Sequence, residues 1–146
     1  MGDEETVMLD ISEYVGIPYK FAGNTFENAD CIGLVRLFYE QHDWSPNFHG
    51  TFKEDWYKTE PFRMVRYFCK NLKRIRDAKD LKFGDLVYFH INGEGHCGIY
   101  LEYSKILTTF PPGCKQWDGS ELANRSFIAH KQLWYPGLKG CFQRVT

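Results

Sequence analysis

The chain has 146 residues, 43% of them hydrophobic and 17% aromatic, with a formal net charge of -1 at pH 7. That length accommodates one compact domain, residues 1–146, and excludes a two-domain enzyme, while the apolar content excludes a disordered or collagen-like chain. No stretch approaches the roughly 18 consecutive apolar residues of a membrane span, and the start Met1-Gly2-Asp3-Glu4-Glu5 is acidic where a secretory leader would be basic. The expectation is a protein made without a signal peptide and cytoplasmic when made, with no membrane partner.

Five cysteines, at positions 31, 69, 97, 114 and 141, form an odd set without close pairs, which argues against a disulfide framework. The absence of C-x-x-C and of a His pair at i, i+4 leaves a structural zinc site without sequence support, and no metal or other cofactor is expected. His96 and Cys97 are adjacent and, on a strand, would point to opposite faces. Residues 63–82 carry eight basic side chains against Asp77 and Asp80, so the remainder is acidic on balance. We read the basic stretch as a solvated helix face and a charged turn rather than a nucleic-acid surface.

In chain order, Gly16-Ile17-Pro18-Tyr19 and Ala22-Gly23-Asn24-Thr25 read as irregular backbone leading to a helix. The helix opens after Asn28-Ala29-Asp30, with Asn28 or Asp30 as its cap, and runs from Cys31 to Glu40. Cys31, Leu34, Val35 and Phe38 fall at i, i+3, i+4 and i+7, the spacing of a buried stripe. A second helix is expected from about Pro61 to Lys73, with Val65, Phe68, Cys69 and Leu72 inward. Between them, 44–59 reads as loop with one helical turn.

From residue 81 the period changes to that of strands. Lys82-Phe83-Gly84-Asp85 is a turn, Leu86–Ile91 a strand, and Asn92-Gly93-Glu94-Gly95 another turn. Cys97–Tyr103 and Lys105–Phe110 are the next strands, followed by Ser126–Ala129, Leu133–Tyr135 and Cys141–Val145. Helices first and antiparallel strands after define an α+β fold class.

A cysteine is nucleophilic as its thiolate, and a helix N-terminus favours that anion through unpaired N–H groups and the macrodipole. Cys31 holds that position, and the same N–H groups suit an oxyanion formed during acyl transfer. Asp30 beside it opposes the thiolate unless its carboxylate is turned away as a cap. Acyl transfer also requires a base, and among the five histidines His96 opens a strand after a glycine-rich turn, facing such a helix end.

Three blocks carry a resemblance: Gly16-Ile17-Pro18-Tyr19 through Asp30-Cys31-Ile32-Gly33-Leu34-Val35; Leu81-Lys82-Phe83-Gly84-Asp85-Leu86-Val87-Tyr88-Phe89; and Gly95-His96-Cys97-Gly98-Ile99-Tyr100-Leu101. In this order, and with motif positions spread over 14–110, they resemble the NlpC-type family of cell-wall cysteine peptidases. The resemblance implies a papain-like fold, N-terminal helices packed on an antiparallel sheet, with Cys31 as nucleophile and His96 as general base and acid. It implies that Tyr19 points its hydroxyl at the thiol, and that Asp30, Ile32 and Gly95 border the substrate. The polar residue that orients the histidine in this family falls at Thr108, where His, Asn or Gln is usual; Gln116 or a backbone carbonyl is the alternative partner. Ile32 replaces a usual Ser, Cys97 a Val and Ala22 a Gly.

The implied activity is hydrolysis of amide bonds in peptidoglycan stem peptides through an acyl-enzyme. A domain of this kind resembles those of phage tail tips, which makes tail proteins expected assembly partners and the virion an expected location. The rival expectations are a structural tail protein of weak or no activity on the same fold, and a thiol acyltransferase or amidase on another substrate.

Overall fold

The computed structural model describes residues 11–44 and 54–144. A short 3-10 turn, Ser12–Tyr14, precedes irregular backbone and then helix α1, Cys31–Gln41. Asp30 is the cap: its backbone is extended and its Oδ1 accepts from the Gly33 N–H at 2.6 Å, which satisfies one of the unpaired donors at the helix start. Eight of the eleven helix residues are buried. Two further helices follow, α2 over Trp56–Thr59 and α3 over Arg63–Asn71.

Six antiparallel strands make one sheet in the order β1-β6-β2-β3-β4-β5, with β1 Lys73–Ile75, β2 Leu86–Ile91, β3 Glu94–Tyr100, β4 Ile106–Thr108, β5 Phe127–Ala129 and β6 Leu138–Gln143. The helix-then-sheet order is the one expected from the sequence. The core lies between α1, α3 and the sheet, where Phe38, Met64, Phe68, Leu86, Tyr88 and Phe142 are sealed from solvent. Tyr39 closes one side by donating from its hydroxyl to the Gly84 carbonyl at 2.6 Å.

Several local expectations are corrected. The β2–β3 turn contains only Asn92 and Gly93, both with positive φ (53° and 83°), so Glu94 and Gly95 already belong to β3. Left-handed backbone at both central positions matches the twist of the paired strands, as a tight hairpin requires. The segment Leu133–Tyr135 is not a strand: helix α4, Lys131–Trp134, runs there, followed by a 3-10 turn over Tyr135–Gly137 containing Pro136. Trp134 is buried and its indole N–H donates to the Ser104 carbonyl at 3.1 Å, a tertiary contact that overrides the local pattern. α3 begins two residues later than expected, so Met64 and Phe68 make its inner face and Cys69 is exposed. β1 pairs with β6 through three polar-rich residues that had no alternating signal. His49 and part of the 44–59 loop lie outside the described residues; within the rest, the single helical turn expected there is α2.

The segment before α1 is held by its neighbours. The Gly16 and Tyr19 N–H groups donate to the carbonyls of Ser126 and Asn124 at 2.8 and 2.9 Å, and Ser126 Oγ accepts from Ile17 N–H at 2.8 Å. At its other end the Ala22 N–H donates to Asp30 Oδ2 at 2.6 Å, so one carboxylate joins the loop to the helix start. Gly33 allows this approach: a β-carbon there would overlap the Gly23 carbonyl. Gly33→Ala should therefore destabilise the chain by about 3 kcal/mol, the upper end for forced overpacking, with the loss read as a lowered urea midpoint at unchanged m-value.

Candidate active site

Cys31 occupies the first position of α1, as its capped start requires, and is buried. Its thiol is held well above the ordinary range, first by a hydrogen bond with the Cys97 thiol, then by burial and by the charges of Cys97 and Asp30. The Ile32 N–H at the helix start acts in the opposite direction, as unpaired helix donors should. Cys97 also lies against the backbone of Cys31, its Sγ 3.9 Å from the Cys31 carbonyl oxygen. Asp30 is itself shifted upward by burial, against the two N–H bonds that it accepts from Gly33 and Ala22. Both of its oxygens are thus engaged within the chain, whereas the sequence assigned this residue to the substrate.

Tyr19, in the loop that leads into α1, is near enough to Cys31 to be influenced by it: burial, followed by the proximity of Cys31, Asp30, Tyr57 and Cys114, raises its hydroxyl pKa and keeps it protonated.

His96 lies on β3 in an almost fully buried setting. Its ring packs edge-on against Phe110 with centroids 4.7 Å apart, beside Phe89 at 5.8 Å, and near-parallel to Tyr57 at 6.1 Å. Burial, with a smaller contribution from His90, pushes its pKa down to about 3. The resting imidazole is thus neutral, and burial makes it a weaker base than a solvated ring. Among the described residues no hydrogen bond joins the Cys31 thiol to the His96 ring.

Thr108, the position expected to orient the histidine, donates its hydroxyl to the Cys97 carbonyl at 2.7 Å and pairs in register with Gly98. It thereby stitches β4 to β3. A different polar neighbour comes from β3 itself: alternation puts Glu94 on the same face as His96, and ligand atoms of Glu94, His96 and Cys114 all lie within 4.8 Å of one another. The Cys114 thiol is pushed up to about 12 by burial and by the Glu94 carboxylate, to which it is hydrogen-bonded. Gln116, the other sequence candidate, has its backbone N–H on Ser120 at 2.8 Å and its carbonyl near Asn92, in the turn beyond Cys114.

Two sequence-assigned substrate residues are packed into the fold. Ile32 is buried on α1. Gly95 faces away from His96, and a β-carbon there would meet the Pro61 carbonyl at 2.6 Å and Tyr88 Oη at 3.0 Å. Tyr57, Glu94 and Cys114 are the site residues that sequence reasoning missed. Glu94 was within reach through period-two alternation once the turn is reduced to Asn92-Gly93; Tyr57 and Cys114 carry no such local signal.

Of the other histidines, His42 stacks on Phe38 and Trp44 and bonds the Phe38 carbonyl through Nδ1 at 2.7 Å. His90 is bonded to Tyr88 Oη, which also donates to the Pro61 carbonyl. His130 is an exposed residue at the start of α4. None of these three belongs to the cluster around Cys31.

A capped helix with a leading cysteine, followed by an antiparallel sheet bearing a histidine, is the arrangement of the papain-like fold. The NlpC/P60 family profile matches residues 16–130, and the chain belongs to that family. A search of curated proteins finds no sequence match. Among solved structures, NlpC2 from Trichomonas vaginalis aligns with TM-score 0.65 at 18% identity, over 98% of this chain and 46% of that protein. An NlpC/P60 family protein from Bacillus cereus aligns with TM-score 0.61 at 16% identity, over 99% of this chain and 41% of its own. The peptidoglycan hydrolase RipB of Mycobacterium tuberculosis gives TM-score 0.57 at 18% identity, over 98% and 65%. The chain thus spans about half the length of the first two. These likenesses establish the α+β, papain-like architecture.

Two outcomes follow from the buried site. An unfolded His96 takes a proton near its ordinary value of 6.5, whereas the folded ring resists until about 3. The native state therefore loses stability as the pH falls from about 6.5 toward about 3, by up to about 1.4 kcal/mol per pH unit from this ring; denaturant titrations of His96→Gln should show a correspondingly flatter acid limb. The second outcome concerns access to the sulfur. In the wild-type chain the exposed Cys69 should be alkylated at least about tenfold faster than the buried Cys31, whose reaction waits on opening of the fold; peptide mapping by mass spectrometry reads it.

Proposed function

We propose that this chain is a thiol hydrolase that cleaves amide bonds in peptidoglycan stem peptides. The observation that carries the reading is Cys31 at the first position of a capped helix, in a chain whose family profile covers both Cys31 and His96. RipB, a structural neighbour, is a peptidoglycan hydrolase, which favours the same substrate class here.

In this reading Cys31 Sγ attacks the carbonyl carbon while His96 takes the thiol proton. The tetrahedral oxyanion meets the N–H groups at the start of α1 and the Tyr19 hydroxyl. Collapse breaks the C–N bond, and the imidazolium returns its proton to the departing amine. Water activated by the same ring then hydrolyses the thioester. Both groups are neutral at rest, Cys31 held so by its hydrogen bond with the Cys97 thiol and then by burial, His96 by burial. Turnover requires both groups to meet solvent, which favours the thiolate and the imidazolium together. Asp30, fixed as cap, holds the helix start but adds a charge that works against the thiolate.

A structural role with little hydrolysis is the second reading. It is favoured by the sealed state of Cys31 and His96 and by the engagement of the Thr108 hydroxyl with the Cys97 carbonyl. The same dyad on a non-murein amide is a variant of the first. Delivery by a phage tail remains part of the proposed context, checked by finding the chain in purified virions.

Digestion of purified sacculi, with the released peptides weighed by mass spectrometry, tests the leading reading. The wild-type chain should release peptides with new amino termini, Cys31→Ser should release none, and His96→Gln should lose on the order of 100-fold or more in rate. Equal products from Cys31→Ser, or no products from several murein types, would remove the assignment.

A further inference from the structure

We propose that Glu94, His96 and Cys114 form a binding site for a zinc-class divalent cation, and that filling it withholds His96 from Cys31. The first half stands on geometry alone; the second rests on the function proposed above.

The three side chains offer a carboxylate oxygen, an imidazole nitrogen and a thiol sulfur, all within 4.8 Å of one another. Four-coordinate zinc holds such ligands at about 2.0–2.3 Å, so ligand atoms sit roughly 3.5 Å apart, a contraction within reach of small side-chain rotations. The backbone presents them firmly. Glu94 and His96 alternate on one face of β3, where each pairs in register with β2, Glu94 with Ile91 and His96 with Phe89. Cys114 is held in its loop by its own N–H on the Pro111 carbonyl at 3.3 Å and by the Leu122 N–H on its carbonyl at 3.0 Å. His96 and Cys114 are buried and Glu94 half-buried, so the ligands are sheltered from competing water. Sulfur and imidazole donors select zinc-class cations over magnesium or calcium, which prefer an all-oxygen shell.

On binding, the Cys114 S–H bond breaks, its proton passes to solvent and a sulfur–metal bond forms, with no change of oxidation state. Neutral imidazole has a single free lone pair. Once the metal takes it, the other nitrogen carries the hydrogen and His96 can no longer accept a proton from Cys31. Metal occupancy and hydrolysis are then mutually exclusive. The thiol involved is not the nucleophile, so the cation is an inhibitor acting through the base.

Cobalt(II), titrated into the 146-residue chain carrying Cys31→Ser, measures the site without reference to catalysis. The expected result is one cobalt per chain with a sulfur-to-cobalt charge-transfer band in the near ultraviolet, displaced by zinc and unaffected by magnesium. Cys114→Ser should abolish the band, and Glu94→Gln should weaken binding by at least about tenfold, with circular dichroism verifying the fold of each. Should Cys114→Ser fail to fold, Glu94→Gln and the 1:1 stoichiometry still decide. Absence of stoichiometric cobalt binding, or a band that persists in folded Cys114→Ser, overturns the site. On sacculi, zinc should inhibit the wild-type chain reversibly by chelator, and the fold-inhibition of Cys114→Ser, measured against that variant's own zinc-free rate, should be at least about tenfold smaller; equal fold-inhibition of both overturns the regulatory half. Cobalt binding in a chain that releases no peptides upholds the metal site while removing the hydrolase reading.

Discussion

One carboxylate organises the candidate site. Asp30 accepts the Gly33 N–H with one oxygen and the Ala22 N–H with the other, each at 2.6 Å, and so fastens the loop that carries Tyr19 to the start of the helix that carries Cys31. Ala22 adopts a positive φ of 67° to make its bond, and Gly33 has no β-carbon because the Gly23 carbonyl occupies that space. The nucleophile position, the neighbouring hydroxyl and the helix donors therefore share one rigid junction. Buried as it is, the carboxylate also places a negative charge close to the thiol.

That charge, with burial and the Cys97 thiol, keeps the sulfur protonated, while the aromatic surroundings of His96 keep its ring neutral. For the sulfur the hydrogen bond with Cys97 comes first, and burial, which leaves neither ionic form solvated, acts on both groups. The structure thus describes a resting pair of neutral groups, with Tyr57 as part of the cover over the histidine.

Around His96 the polar neighbours come from an unexpected side. Thr108 spends its hydroxyl proton on the Cys97 carbonyl and so works between strands. The groups closest in chemical kind to a partner for the ring are Glu94, two residues earlier on the same strand face, and Cys114 from the loop beyond β4. A carboxylate, an imidazole and a thiol brought together under cover form a different constellation from the proposed Cys31–His96 dyad, and both proposals call on the same ring.

The sequence by itself determined the order of helices and strands, the helix opening at Cys31, and the strand pair from Leu86 to Tyr100, because these depend on local period, capping and turn chemistry. It also carried the family blocks around Cys31 and His96. It read Leu133–Tyr135 as a strand because alternation over three residues says little against the tertiary burial of Trp134. Only the folded chain decided that Asp30 is a two-sided clasp, that Gly95 makes room for the Pro61 carbonyl, and that Tyr57 and Cys114 meet His96. Those outcomes join residues up to 39 apart along the backbone, and no periodicity within one segment encodes the proximity of another.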